Sequence, residues 1–175
     1  VYNVLINDEV GFPDILMKTK FGFDLAPSNI DLAGAEIELK QLLASEQILK
    51  RKLEEILDDY DYVLLDCPPS LGMLTINALT AAKEVLIPMA MELLALRGLD
   101  MLSQTIGKIR AITNPELQYL GMLPTKYDKT TLNSKEIYTA LQASAHNAGI
   151  RVFNTYIPLT VRITESPRFK TPIIV

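Results

Sequence analysis

The run "YVLLDC", Tyr62–Cys67, is apolar or aromatic at every position before Asp66. A strand with one wet face alternates apolar and polar side chains, so an unbroken run predicts burial on both faces and a central place in a sheet. Such a strand needs a hydrogen-bonded neighbour on each side and a layer above and below it. Four other runs, "FDLAP", "EVLIPM", "QYLGMLPT" and "VFNTYI", also read as strands. Helical spacing lies between them. In "LAGAEIELKQLLASEQILKRKLEEIL" the apolar positions Leu32, Ile37, Leu42, Leu43, Ile48, Leu49, Leu53, Ile56 and Leu57 recur about three or four apart, with a restart at Ser45. "SLGMLTINALTAA", "LRGLDMLSQTIGKIRAI" and "NSKEIYTALQASAHNAG" predict three more helices, the last opened by Asn133 or Ser134 and stopped by Gly149. The alternation predicts an α/β fold, a mostly parallel sheet with helices on both faces. With no repeat or linker, residues 1–175 read as one domain.

Bulk properties narrow the function classes. At 175 residues and 49% apolar content the chain can bury a sizeable core. A net charge of −4 gives no global pull towards nucleic acid or anionic membrane, although a local basic patch is compatible with it. The single cysteine, Cys67, rules out an internal disulfide framework and suits a reducing compartment. The first residues lack the pattern of a secretory signal. The longest apolar run, "VLIPMAMELLAL", is broken by Pro88 and Glu92 and is too short to span a bilayer. These features predict a cytoplasmic protein with no membrane partner.

Asp66 ends its apolar run where open parallel sheets place a ligand crevice. Two roles stand open for it: capping the following turn, or holding magnesium through water. Pro68 and Pro69 stiffen the backbone behind it and delay the next helix to about Ser70. His146, the only histidine, falls at a predicted helix end, where a cation meets the dipole favourably. Met89, Met91, Met101 and Met122 read as core filling, and Cys67 as a buried, inert thiol.

Together, "YDYVLLDCPPSLGMLTINAL" resembles the Walker B region of the ParA/Soj-type partition ATPases. "LAPSNIDLAGAEIEL", "EVLIPMAMELLALRGLDML", "LGMLPTKYDKTTLNSKEI" and "IPLTVRITESPRFKTPI" extend the likeness along the chain. The resemblance implies a P-loop NTPase-like fold with ATP and Mg2+ as cofactors, and makes Asp66 the acid that orients the magnesium. It implies that Thr125, Pro158 and Thr160 line an adenine pocket. It also puts Arg162 on a surface for non-specific DNA, with Lys126, Lys129, Arg168 and Lys170 near it in sequence. A guanidinium pairs bidentately with phosphate and keeps its charge, which suits sequence-blind binding; a solvated arginine or an ion pair with Glu165 is the plainer reading of Arg162. A homodimer closed by ATP and a ParB-like centromere-binding partner follow from the same likeness.

A phosphate-binding loop needs Gly, four residues, then Gly-Lys-Ser/Thr. Gly107-Lys108 is followed by Ile109, and Lys18-Thr19 has no glycine close before it. The expectation is therefore a partial domain, lacking the P-loop strand, the Walker A region and the last helix, and inactive in ATP hydrolysis by itself. Departures from the family pattern fall at Leu93, Leu94, Arg97, Leu159, Thr160, Arg168 and Lys170-Thr171, which weakens carry-over of the adenine and dimer contacts. Three functions compete: an ATP-dependent plasmid or chromosome partition ATPase, a P-loop-less binding or regulatory module, and a MinD-like positioning ATPase. Against the last stand "DCPPS" in the turn and the lack of a terminal basic amphipathic helix.

Overall fold

The computed structural model describes residues 1–169 and residue 173. The chain divides into two units, residues 1–83 with 105–117 and residues 84–104 with 118–175. The helix α5, Leu93–Ile112, contributes to both.

The first unit holds α1 (Tyr2–Ile6), a hairpin of β1 (Met17–Lys18) and β2 (Asp24–Leu25), α2 (Leu32–Leu39), α3 (Ile48–Leu53) and α4 (Met73–Ala81). Val4, Leu5, Phe12, Ala35, Leu39, Ile48, Leu49, Leu53 and Ile56 form its core with Ala78. As the restart at Ser45 predicts, the helix that begins at Leu32 is not continuous. It stops at Leu39, the chain turns through a left-handed Ala44, and α3 restarts behind a 3-10 turn at Ser45–Gln47. Asn77 explains why the break is tolerated. Its buried side chain accepts from Leu49 N (3.1 Å) and donates to the carbonyls of Ser45 (2.8 Å) and, in its own helix, Met73 (3.0 Å), so at Leu49 and Ser45 it satisfies groups that a continuous helix would have paired internally. Ile37, Leu42, Leu43 and Leu57 are exposed rather than in the predicted stripe, Leu42 and Leu43 because they fall in the break.

The run Tyr62–Cys67 departs furthest from expectation. It joins no ladder among the described residues, and Tyr62 and Leu64 are 85% and 92% exposed. An apolar run becomes a central strand only where other strands offer it their edges, and in this unit β1 and β2 pair only with each other. Two residues before the run, Tyr60 is anchored: Asp24 Oδ2 accepts from Lys18 Nζ (2.7 Å) and from Tyr60 Oη (2.6 Å). These hydrogen bonds, Lys18 first, hold the Asp24 carboxyl below its ordinary range, and the Lys18 ammonium is raised in return. A depressed carboxylate stabilises above its unfolded pKa and loses that contribution as pH falls through its folded one. The hairpin is therefore expected to keep its protection from about pH 5 to 8 and to fray below about pH 4. Amide exchange at Thr19, which donates to Phe23 O (3.1 Å), reads this directly; uniform protection down to pH 3 contradicts it.

The second unit pairs β3 (Glu84–Ala90) in parallel with β4 (Gln118–Thr125). On β3, Ile87 and Met89 are buried while Leu86 and Pro88 are exposed, so this strand alternates although "EVLIPM" does not. The register slips between Val85 and Leu86, leaving Leu120 as a bulge followed by Gly121 at φ +144°. Arg151 Nε donates to the Leu120 carbonyl (2.8 Å), and a Cβ on Gly121 would lie 2.8 Å from the Phe153 ring. Both the backbone angle and the close approach call for glycine here. The expected strand "VFNTYI" is only touched down, at bridges Met122–Val152 and Tyr127–Pro158. Helix α6 (Leu132–Asn147) starts at Thr131, whose Oγ1 accepts from Ser134 N (3.3 Å), and ends at a left-handed Gly149. His146 lies exposed in its last turn, as expected. A further helix, α7 (Val161–Phe169), follows. Met89, Met91 and Met122 join the core with Leu99, Ile137 and Leu141, whereas Met101 is 62% exposed and does not fill it. No described helix is long and apolar enough to cross a membrane.

Candidate functional site

In the first unit Asp66 is exposed on the segment that leads through Pro68 and Pro69 into α4. Thr75 Oγ1 donates to the Ser70 carbonyl (2.6 Å), tying this turn to the helix that follows. Cys67 is exposed, not buried as expected, and its Sγ lies 3.6 Å from the Leu65 carbonyl. Partial desolvation of the sulfur, then the charge of Asp66, raises the thiol above its ordinary value. That keeps it protonated at neutral pH, the form in which a thiol is a poor nucleophile. Among the described residues no group of three or more His, Cys, Asp or Glu side chains is arranged to hold a metal. Asp66 is thus a lone hard oxygen donor on a stiff turn.

In the second unit the carboxyl end of β4 and the stretch before α7 run side by side. Ile157 N donates to Pro124 O (2.8 Å) and Tyr127 N to Ile157 O (3.1 Å). Thr125, whose carbonyl accepts from Met91 N (3.1 Å), and Pro158 therefore share one edge. Thr160 is the residue before α7, and its Oγ1 accepts from Arg162 N (3.2 Å). It acts as an N-cap, a job that asparagine, the residue expected here from the family pattern, performs equally well. The departure at this position thus preserves the local backbone function.

Of the predicted cations, Arg162 and Arg168 are both exposed on α7. Six residues apart on a helix, they point about 120° away from one another. No ion pair joins Arg162 to Glu165 among the described contacts. Lys129 sits over the ring of Tyr156 (4.5 Å to the centroid), and Tyr156 packs edge-on against Tyr127 (5.2 Å). Tyr127 in turn stacks on Tyr138 (5.1 Å). This tyrosine cluster, which orients Lys129, was missed in the sequence because its members are far apart along the chain. Lys126, at φ +52°, is paired with Glu92 (3.1 Å) and so is partly neutralised. Lys170 and the Arg97 side chain lie outside the described residues.

A family model described as an AAA domain matches residues 1–119. The chain is 43% identical over 174 residues to an uncharacterized protein of Mycobacterium tuberculosis, covering 99% of this chain and 54% of that protein. It thus spans about half the length of curated relatives that it matches. It is 40% identical over 174 residues to the sporulation initiation inhibitor protein Soj of Bacillus subtilis, covering 99% of this chain and 68% of Soj. A crystal structure of cobyrinic acid a,c-diamide synthase from Mycobacterium smegmatis, with bound ADP and magnesium, superposes with a TM-score of 0.83 at 43% identity, covering 91% of this chain and 64% of that one. The fold is therefore the P-loop NTPase-like α/β fold. With the AAA-domain match over most of its residues and the Soj likeness over two thirds of Soj's own length, the chain belongs to the ParA/Soj-type family of partition ATPases.

Proposed function

We propose that the chain is part of an ATP-dependent partition ATPase, serving a plasmid or chromosome, that dimerises on ATP and binds DNA without sequence preference. The observation that carries this reading, beside family membership, is the Tyr127–Pro158 bridge. It gathers the end of β4 and the run Pro158–Arg162 on one edge, so one short region offers both a nucleotide surface and a cation. Thr125 and Pro158 present main-chain and apolar surface to an adenine, with Thr160 closing the helix end beside them. Arg162 offers a guanidinium to DNA phosphates, and Lys129 and Arg168 add charge. The donor chemistry of Asp66 fits magnesium, which keeps several waters and takes one or two carboxylates with substrate phosphates. Asp66 would help hold such an ion, which with ATP bound would neutralise phosphate charge. A ParB-like protein stimulates turnover, and the assembly works in the cytoplasm.

The deciding measurement is ATP-dependent binding of a random-sequence duplex by the full-length protein. Arg162→Ala is expected to weaken binding uniformly across sequences and to lower the slope of log affinity against log salt by about 1. Unchanged affinity at matched salt removes Arg162 from the interface. The likeness to the diamide synthase favours a second reading, ATP-driven amidation of an acid. ATP turnover that requires cobyrinic acid and an ammonia source, without duplex binding, establishes that reading in place of partition.

A further inference from the structure

We propose that Glu36 is a positioning residue for the Asp66 turn, clamping the start of α4 to α2 from across the first unit. The inference rests on the magnesium reading of Asp66. Helix α4 has no side-chain cap of its own, because its N-cap residue is Gly72. Glu36, half-buried on α2, supplies the cap from another element: its Oε1 accepts from Leu74 N at 3.4 Å.

Gly72 faces the Glu36 carboxylate directly. Its backbone angles, φ −83° and ψ −172°, are open to any residue, so conformational freedom does not explain glycine here. A Cβ at Gly72 would lie 2.6 Å from the Glu36 carboxyl carbon, so alanine there displaces that carboxylate, the movable end of a long side chain, from the Leu74 amide. Between this clamp and Asp66 lie only Cys67, Pro68, Pro69, Ser70 and Leu71. The prolines stiffen the segment, and the Thr75 hydroxyl holds Ser70. A displacement at the start of α4 is therefore passed to Asp66 rather than absorbed between them.

The test uses the full-length protein carrying Glu36→Ala, Glu36→Gln or Gly72→Ala. Three quantities are read: the magnesium concentration for half-maximal ATP turnover, the alkylation rate of Cys67 followed by peptide mass spectrometry, and the melting temperature. Glu36→Ala and Gly72→Ala are expected to raise the magnesium requirement about 10-fold and to change the Cys67 rate together. The double variant is expected to be no worse than either single one. Glu36→Gln keeps an oxygen for the Leu74 amide and is expected to stay close to wild type in both readouts. Wild-type magnesium dependence and Cys67 rate in folded Gly72→Ala overturn the inference even if Glu36→Ala does not fold. Glu36→Gln as damaging as Glu36→Ala overturns it as well, because charge rather than the cap is then what counts. If Asp66→Asn leaves the magnesium titration unchanged, the magnesium reading falls, and the Cys67 rate alone still decides the clamp.

Discussion

Asp66→Asn in the full-length protein is expected to raise the magnesium concentration needed for ATP turnover about 10- to 100-fold. The substitution keeps size and one acceptor oxygen but removes the charge that makes the residue a hard donor. At saturating magnesium part of the rate returns, because a weakened metal interaction is offset by mass action. Stability is expected to change by less than about 0.5 kcal/mol, since Asp66 is exposed and its replacement opens no cavity. That pairing of outcomes separates an ion-orienting role from a turn cap. A lost cap costs roughly 1 kcal/mol of stability and leaves the magnesium titration where it was. Identical magnesium curves for the two proteins would end the metal assignment.

Asn77→Ala is expected to destabilise the protein by about 3 kcal/mol. Asn77 is 0% exposed and makes all three of its hydrogen bonds to backbone, at Ser45, Leu49 and Met73. Alanine leaves the Leu49 amide and the Ser45 carbonyl buried without that partner, and each orphaned group costs about 1–3 kcal/mol. The effect is concentrated where α3 restarts after Ala44, so α3 is expected to lose exchange protection before α4 does. For a chain of this size the melting midpoint falls by roughly 6–12 °C. Asn77→Asp keeps the acceptor for Leu49 but loses the donor, and places a carboxylate in the interior; it is expected to be no milder. A fall of less than about 1 kcal/mol for Asn77→Ala would show that water replaces the amide and that the junction does not depend on it.

Much of the second unit was legible in the residues. Strands β3 and β4 fall on the runs that read as strands, and α6 ends at Gly149, where φ +68° needs what glycine permits. The start of α6 was misplaced by two or three residues, because Thr131, Asn133 and Ser134 are all competent caps and only the Ser134 amide's approach to Thr131 chooses between them. Helix α7 was missed: its nine residues mix polar and apolar side chains, and the cap at Thr160 is formed in the fold. In the first unit both the helical period and the restart at Ser45 show in the residues, but not what stabilises the break. Periodicity reports which face is apolar, whereas the break at Ala44 depends on Asn77, 32 residues from Ser45.

The candidate site divides in the same way. Asp66, the prolines behind it and the run Pro158–Arg162 stood out as local patterns, and those patterns were enough to carry the family resemblance. The Glu36 clamp and the tyrosines that orient Lys129 did not, because each joins residues distant in sequence through contacts that leave no periodic trace. By itself the sequence determined the alternation of strand and helix, the family, and the acid on its stiff turn, since all three are written in neighbouring residues. Only the tertiary structure decided that Tyr62–Cys67 joins no ladder among the described residues, that the Glu36 carboxylate lies against Gly72, and that Thr160 caps α7. Pairing, close approach and hydrogen-bond satisfaction are properties of two segments at once, and no single stretch of chain contains them.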